Sequence, residues 1–305
     1  MIRKSLHFLF FLPALISLSV MGCASGSGSN VAPALLPYPD IPEYVVDPEA
    51  RAAWLALHFW DSLDFSDTTL THDADFMERN FANYAAILGN VADTLVLASS
   101  AEKLINLSEV DTCVFKMVGE FARYYLYSDE APLLPNEEAY IPFMRYYVSS
   151  PRVGETDRYR YDFMLECALK NRPGHIAADF RFVTREGEHK TLHSFDTSGN
   201  ILLIFYDPDC DTCREIMERL ASDASLLEMA VGGELTVMAI YAGEDRDLWE
   251  ATAARLPQEW VVGYDQGAIE EAESYDFRQS PTLYLLSSDK RVITKEIPPT
   301  RLLPN

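Results

Sequence analysis

The chain predicts an α/β fold, a central mixed sheet flanked by helices, preceded by an all-α domain. Three observations carry this reading. Strand-like alternation is scarce before Pro173 and regular after Gly174. Beyond Gly174, apolar runs of strand length alternate with segments of helical period, a pattern that covers both faces of a sheet. Between the strongest of those runs, Ile201 to Tyr206, and a helical stretch stand Cys210-Asp211-Thr212-Cys213.

The N-terminus reads as an export segment over residues 1–22. Arg3 and Lys4 form its positive region and Leu6 to Val20 its apolar one. That apolar run is short of the roughly 20 residues a spanning helix needs. Val20-Met21-Gly22-Cys23 resembles a bacterial lipobox, with Met21 in place of the usual small residue. The resemblance implies cleavage before Cys23 and a lipid on its thiol. Residues 23–43 follow as a Gly/Ser tether and a linker with Pro33, Pro37, Pro39 and Pro42. No acidic run follows Cys23. Resemblance to lipoproteins of Bacteroidetes therefore implies the periplasmic side of a membrane rather than the cell surface. With 25 basic and 47 acidic residues the chain carries −22. Cleavage would remove two cations and no anion, leaving −24. Such a charge excludes nucleic acid and anionic headgroups as electrostatic partners.

Residues 44–173 are expected to form the helical domain. Asp47-Pro48 supplies an N-cap and a first-turn proline ahead of a run holding Trp54, Phe59 and Trp60. Met77, Phe81, Tyr84 and Leu88 share one face of a helix over residues 74–88. Ser108-Glu109-Val110-Asp111 resembles a capping box, opening a helix whose face holds Val110, Cys113, Met117, Phe121 and Tyr124. A last helix spans about residues 157–170 and stops at Arg172-Pro173-Gly174. Residues 174–305 form the second domain. A hairpin is expected from Phe180 to Leu192 around the Glu186-Gly187 turn. The Ile201 strand, a helix from Cys210 to about Leu227, and a strand from Leu235 to Tyr241 follow. A helix over 247–256, a short strand at Trp260-Val261-Val262 and a helix over 268–275 come next. Residues 281–286 and 291–294 read as an antiparallel pair.

Two thiols spaced C-x-x-C at a helix start can close a small disulfide. The helix end also favours a thiolate on the first sulfur. Zinc would need about four ligands. There is no second C-x-x-C, and His175, His189 and His193 are not at knuckle spacing, so no metal is expected. Downstream stands Ser280-Pro281-Thr282, leading into Leu283-Tyr284-Leu285-Leu286. These elements resemble the thioredoxin superfamily, and the order of strands and helices over residues 176–296 resembles its TlpA/ResA branch. That branch has an N-terminal hairpin and a strand–helix insertion between the dithiol and a cis-proline. The helical half, through Arg51-Ala52-Ala53-Trp54-Leu55, His58-Phe59-Trp60-Asp61 and Asp64-Phe65-Ser66-Asp67, resembles the domain that precedes a thioredoxin-like domain in Bacteroidetes lipoproteins.

The resemblance implies that Cys210 is the nucleophile and Cys213 the resolving thiol, with Pro281 cis and Ser280 and Thr282 docking the substrate backbone. Three departures stand out. Asp209 replaces the usual tryptophan, and Asp207, Asp209 and Asp211 together oppose ionisation of the first thiol, partly offset by Arg214. Ile204 occupies the place of the buried acid that serves the resolving thiol. Pro298, Pro299 and Pro304 replace a last helix, so the helical domain is expected to cover one sheet face.

The expected function is a membrane-anchored thiol–disulfide oxidoreductase reducing disulfides of envelope proteins, without a cofactor. Its partners are disulfide-bearing substrate proteins, an envelope electron donor, and the membrane through the Cys23 lipid. A peroxiredoxin-like peroxidase is a rival, since Pro208 and Thr212 have its spacing, but Glu215 stands where its cysteine would be. A binding or scaffold lipoprotein acting through the helical domain is the other. Cys113 and Cys167 are expected as two separate buried thiols.

Overall fold

The structure, a computed structural model, describes residues 35–128, 131–132, 135–277, 280–295 and 297. The expected signal segment, Cys23, and Pro298, Pro299 and Pro304 lie outside the described residues. Seven described helices come first: α1 Pro48–His58, α2 Thr68–Thr71, α3 Ala74–Leu88, α4 Thr94–Ser108, α5 Thr112–Tyr127, α6 Glu137–Ser149 and α7 Glu155–Leu169. Aspartate caps five of them through its side chain, Asp47, Asp67, Asp73, Asp93 and Asp111 each accepting a backbone N–H. Each cap satisfies a donor that a helix start leaves orphaned.

The expected faces of α3 and α5 fare differently. Met77, Phe81, Tyr84 and Leu88 are all buried on α3. The Phe81 ring lies 5.7 to 6.2 Å from those of Tyr84, Phe121, Tyr125 and Phe143, which ties α3 to α5 and α6. On α5 the buried stripe is Val114, Phe115, Val118, Ala122 and Tyr125, one position round from the expected one. Ser108 is not the cap. It ends α4, its hydroxyl donating to the Ile105 carbonyl, and Asp111 caps instead. Cys113 is consequently exposed rather than buried, and its thiol is free. Helix α4 was not expected; Ser100, Ala101 and Ser108, small residues, interrupt its buried face of Leu97, Leu104 and Ile105. Ser100 donates to the Ala56 carbonyl and meets Tyr84 Oη, each at 2.6 Å.

The second half builds one seven-stranded sheet from β1 Arg181–Thr184, β2 His189–Thr191, β3 Asn200–Tyr206, β4 Leu235–Tyr241, β5 Val261–Tyr264, β6 Thr282–Leu286 and β7 Val292–Thr294. Its order is β2-β1-β5-β4-β3-β6-β7. Strands β3, β4 and β5 run parallel, and β6 is antiparallel to β3. Alternation sorts the side chains. Leu202, Ile204, Tyr206, Val237, Ala239 and Leu283 face one cluster, closed by α8 Asp211–Ser222, α9 Ala224–Val231 and α10 Arg246–Ala253. Ile201, Leu203, Phe205, Met238, Ile240 and Tyr284 face the other.

The sequence led to the expectation that the helical domain covers one sheet face, but no residue of α1 to α7 joins the cluster on that second face. Ala177, Phe180, Leu192, Ile269 and Tyr275 close it, from the segments flanking the hairpin and from α11 Ala268–Glu271. The long helix expected after Cys210 is two, because Asp223 leaves helical geometry (φ −75°, ψ 114°) and caps α9 through Leu226 N–H.

The apolar cluster of the helical half ends at Ala168, and those of the sheet begin at Ala177. Polar links cross the gap, and from Leu35 onward the chain forms one compact unit. Lys295 donates to the Cys167 and Lys170 carbonyls at 3.0 and 2.9 Å and pairs with Glu137 at 3.0 Å. Asn171 donates to the Ser274 carbonyl and accepts from Ala178 N–H. Both side chains of the Lys295–Glu137 pair are over nine-tenths buried or at that limit, 3% and 9% exposed. Breaking a buried pair by removing one partner costs about 3 to 5 kcal/mol. Lys295→Met should therefore lower the urea midpoint by a loss of about 3 kcal/mol. The double variant with Glu137→Gln should recover part of that loss.

Candidate active site

Strand β3 lies between β4 and β6 and ends in Tyr206, which hands the chain to the turn Asp207-Pro208-Asp209. The turn closes through Cys210 N–H to the Asp207 carbonyl at 3.2 Å and Asp209 N–H to Asp207 Oδ1 at 2.9 Å. Cys210 then caps α8. Its backbone is extended, and its sulfur accepts Cys213 N–H at 3.3 Å. The dithiol thus has one sulfur at the mouth of a helix and the other a turn inside it. Cys210 is half-buried, Cys213 fully buried, and both thiols are free. The positive helix end favours negative charge on the outer sulfur.

Cys213 packs with Ile204, Met217 and Leu283 on the α8 side of the sheet. Burial pushes its thiol up to about 11, with the Ser280 hydroxyl acting in the opposite direction. Ile204 is fully buried in the same cluster.

The Ser280–Pro281 peptide is cis. Pro281 is buried just ahead of β6, and Thr282 pairs across to Phe205 in the sheet, itself buried. Ser280 stays exposed, and its Oγ lies 2.9 Å from Cys213 Sγ. The fold therefore brings Cys210, Cys213 and Ser280 together with Pro281 next in the chain. Sequence reading cast Ser280 as a docking residue and missed its contact with the inner thiol, because 67 residues separate the two.

Asp207 and Asp209 lie on the turn and Asp211 opens α8, all three exposed. Asp207 is engaged in the turn itself, and Asp211 pairs with Arg214. Two clefts flank the turn. A small one of about 120 Å³ is lined by Tyr206, Pro208, Met217, Thr252, Arg255 and Leu256, among others. A wider one of about 320 Å³ includes Phe205, Asp207, Glu270, Phe277, Ser280 and Thr282 in its lining. Elsewhere, in the helical half, the ligating atoms of His72, Asp111 and Cys113 lie within 4.8 Å of one another, a trio that could hold a metal ion and that the sequence did not suggest.

Residues 22–171 match the model of a domain of unknown function, DUF5106. A thioredoxin-like protein from Bacteroides caccae has a crystal structure similar to this chain, with 32% identity over 88% of this chain and 96% of that one and a TM-score of 0.74. A conserved protein of unknown function from Bacteroides fragilis is 39% identical over 43% of this chain and 96% of its own, with a TM-score of 0.41. A thiol-disulfide oxidoreductase from the same species is 22% identical over 42% and 94%, with a TM-score of 0.35. No curated protein matches the chain.

Two outcomes follow for the thiols. In reduced protein, peptide-mapped alkylation at neutral pH should label exposed Cys113 and half-buried Cys210 well before Cys213. A thiol raised by burial favours the folded state below its ordinary 9.0, and that contribution is lost as pH climbs through about 11. Reduced protein should therefore lose stability between those pH values, and Cys213→Ala should lack that part of the loss.

Proposed function

Because the chain belongs to the thioredoxin-like proteins, the family of its Bacteroides caccae relative, we propose that it is a thiol–disulfide oxidoreductase. The supporting observation is the trio at one helix mouth: an outer sulfur that caps α8, an inner buried thiol, and a cis-proline segment touching the latter. Cys210 attacks a substrate disulfide and forms a mixed disulfide. Cys213 then attacks Cys210, closing the internal disulfide and releasing the second substrate thiol. Pro281, with Ser280 and Thr282, holds the substrate backbone beside the dithiol.

The direction proposed is reduction of disulfides in cell-envelope proteins. Asp207, Asp209 and Asp211 put negative charge around the dithiol turn. Charge of that sign disfavours the thiolate that a strongly oxidising dithiol stabilises, so the pair gives up electrons readily. The protein then needs an electron donor in the envelope. A lipid on Cys23 would anchor it to the periplasmic side of a membrane. Among the described residues no helix is long and apolar enough to cross one. Residues 44–173 and 174–305 are read as two domains, the second carrying the chemistry.

Reduced protein should reduce a disulfide-bonded peptide, and Cys210→Ser should bring the rate down to that of buffer alone. Equilibration with glutathione should place the Cys210–Cys213 couple near thioredoxin, about −270 mV, rather than near DsbA, about −120 mV. A value close to the latter would make the protein an oxidant.

A further inference from the structure

Resting on the oxidoreductase reading, we infer that the Ser280 hydroxyl is the group that takes the proton from Cys213 when the inner thiol attacks the mixed disulfide. The chemistry requires such a group. A thiol is a poor nucleophile until it loses its proton. Cys213 is fully buried, and Ile204, Met217 and Leu283 of its cluster offer no group that could take a proton. The Ser280 oxygen, 2.9 Å away, is the hydrogen-bonding side chain the fold sets against that sulfur from outside the dithiol turn.

Ser280 also has somewhere to send the proton. It is exposed while its partner is buried, so one hydroxyl touches both the sulfur and solvent. It lines the cleft of about 320 Å³ that also carries the carboxylates of Asp207 and Glu270. A cleft of that size admits several waters. The relay is thus Cys213 S–H to Ser280 Oγ, Ser280 O–H to a cleft water, and from there to a carboxylate or bulk. A hydroxyl suits this because it accepts one bond while donating another.

The step balances. The Cys213 sulfur forms a bond to the Cys210 sulfur, and the bond from Cys210 to the substrate sulfur breaks. The substrate sulfur leaves with the electron pair as a thiolate. The two protein thiols are oxidised to a disulfide as the substrate disulfide is reduced to two thiols. The proton from Cys213 leaves through Ser280. The titratable groups around the inner thiol and the cleft are Cys210 and Asp207, Tyr206 and Tyr241 at the ends of β3 and β4, and Glu270 across the cleft.

The test isolates the second half of the reaction. Reduced full-length protein, in a Cys23→Ser/Cys113→Ser background, is mixed in a stopped-flow cell with excess 5,5′-dithiobis(2-nitrobenzoate); the first coloured thiolate reports capture of the reagent by Cys210, and the second, released in a phase independent of reagent concentration, reports attack by Cys213. General acid–base help is typically worth about 10²- to 10⁴-fold, and a neutral hydroxyl that only passes the proton on falls below that range. Ser280→Ala should slow the second release about tenfold at pH 7.5. The gap should close as pH rises far enough to ionise Cys213 unaided. Ser280→Thr, which keeps the hydroxyl, should restore the rate. Alkylation of Cys210 should be equal in all three proteins. Equal release from Ser280→Ala, or slowing that is the same at every pH and not restored by threonine, would overturn the relay and leave the oxidoreductase reading standing. Failure of the wild-type protein to release the second thiolate at all would overturn both.

Discussion

One contact organises the site: the sulfur of Cys210 accepting the Cys213 N–H at the mouth of α8. A helix start leaves backbone donors unsatisfied, and seven of the eleven described helices fill the role with aspartate. Here a thiol fills it. The sulfur is therefore held at the mouth of the helix by the Cys213 N–H. The same geometry fixes Cys213 as the third residue of the helix, buried against the sheet and one turn from its partner. Replacing the cap with a better one would secure the helix and remove the reactive group.

The position of that cap depends on β3. The strand is buried on both faces and paired on both edges, so its C-terminal end is among the most constrained points of the sheet. Antiparallel β6 runs beside it in the register Phe205↔Thr282. That register brings the residues just before Thr282 to the end of β3 where the dithiol turn begins. The meeting of Ser280 with Cys213 is a consequence of sheet register, with no local sequence signal of its own.

What the sequence made legible follows from how local each signal is. Strands β3 and β4 and helix α3 were readable because a strict apolar run or a clean 3.6-residue face specifies each. The dithiol at a helix start and the proline ahead of β6 were readable because spacing carries them. Helix α4 was harder to read because Ser100 and Ser108 interrupt its buried face of Leu97, Ala101, Leu104 and Ile105, and α6 because Pro142 stands inside it. The stripe of α5 was misplaced by one residue because Ser108 and Asp111 are both plausible caps. What covers the second sheet face, and the links from Lys295 and Asn171 across residue 173, are tertiary pairings without any local periodicity.

The central claim is that Cys210 forms a covalent intermediate with a substrate protein and Cys213 releases it. It is tested most directly by removing Cys213 alone and looking for the intermediate. Cys213→Ala protein, expressed in a bacterial envelope and analysed by non-reducing electrophoresis and mass spectrometry, should accumulate mixed disulfides joining Cys210 to cysteines of other envelope proteins. The wild-type and Cys210→Ser/Cys213→Ala proteins should not. Absence of any Cys210-linked adduct in Cys213→Ala, in protein shown to be folded, would contradict the account.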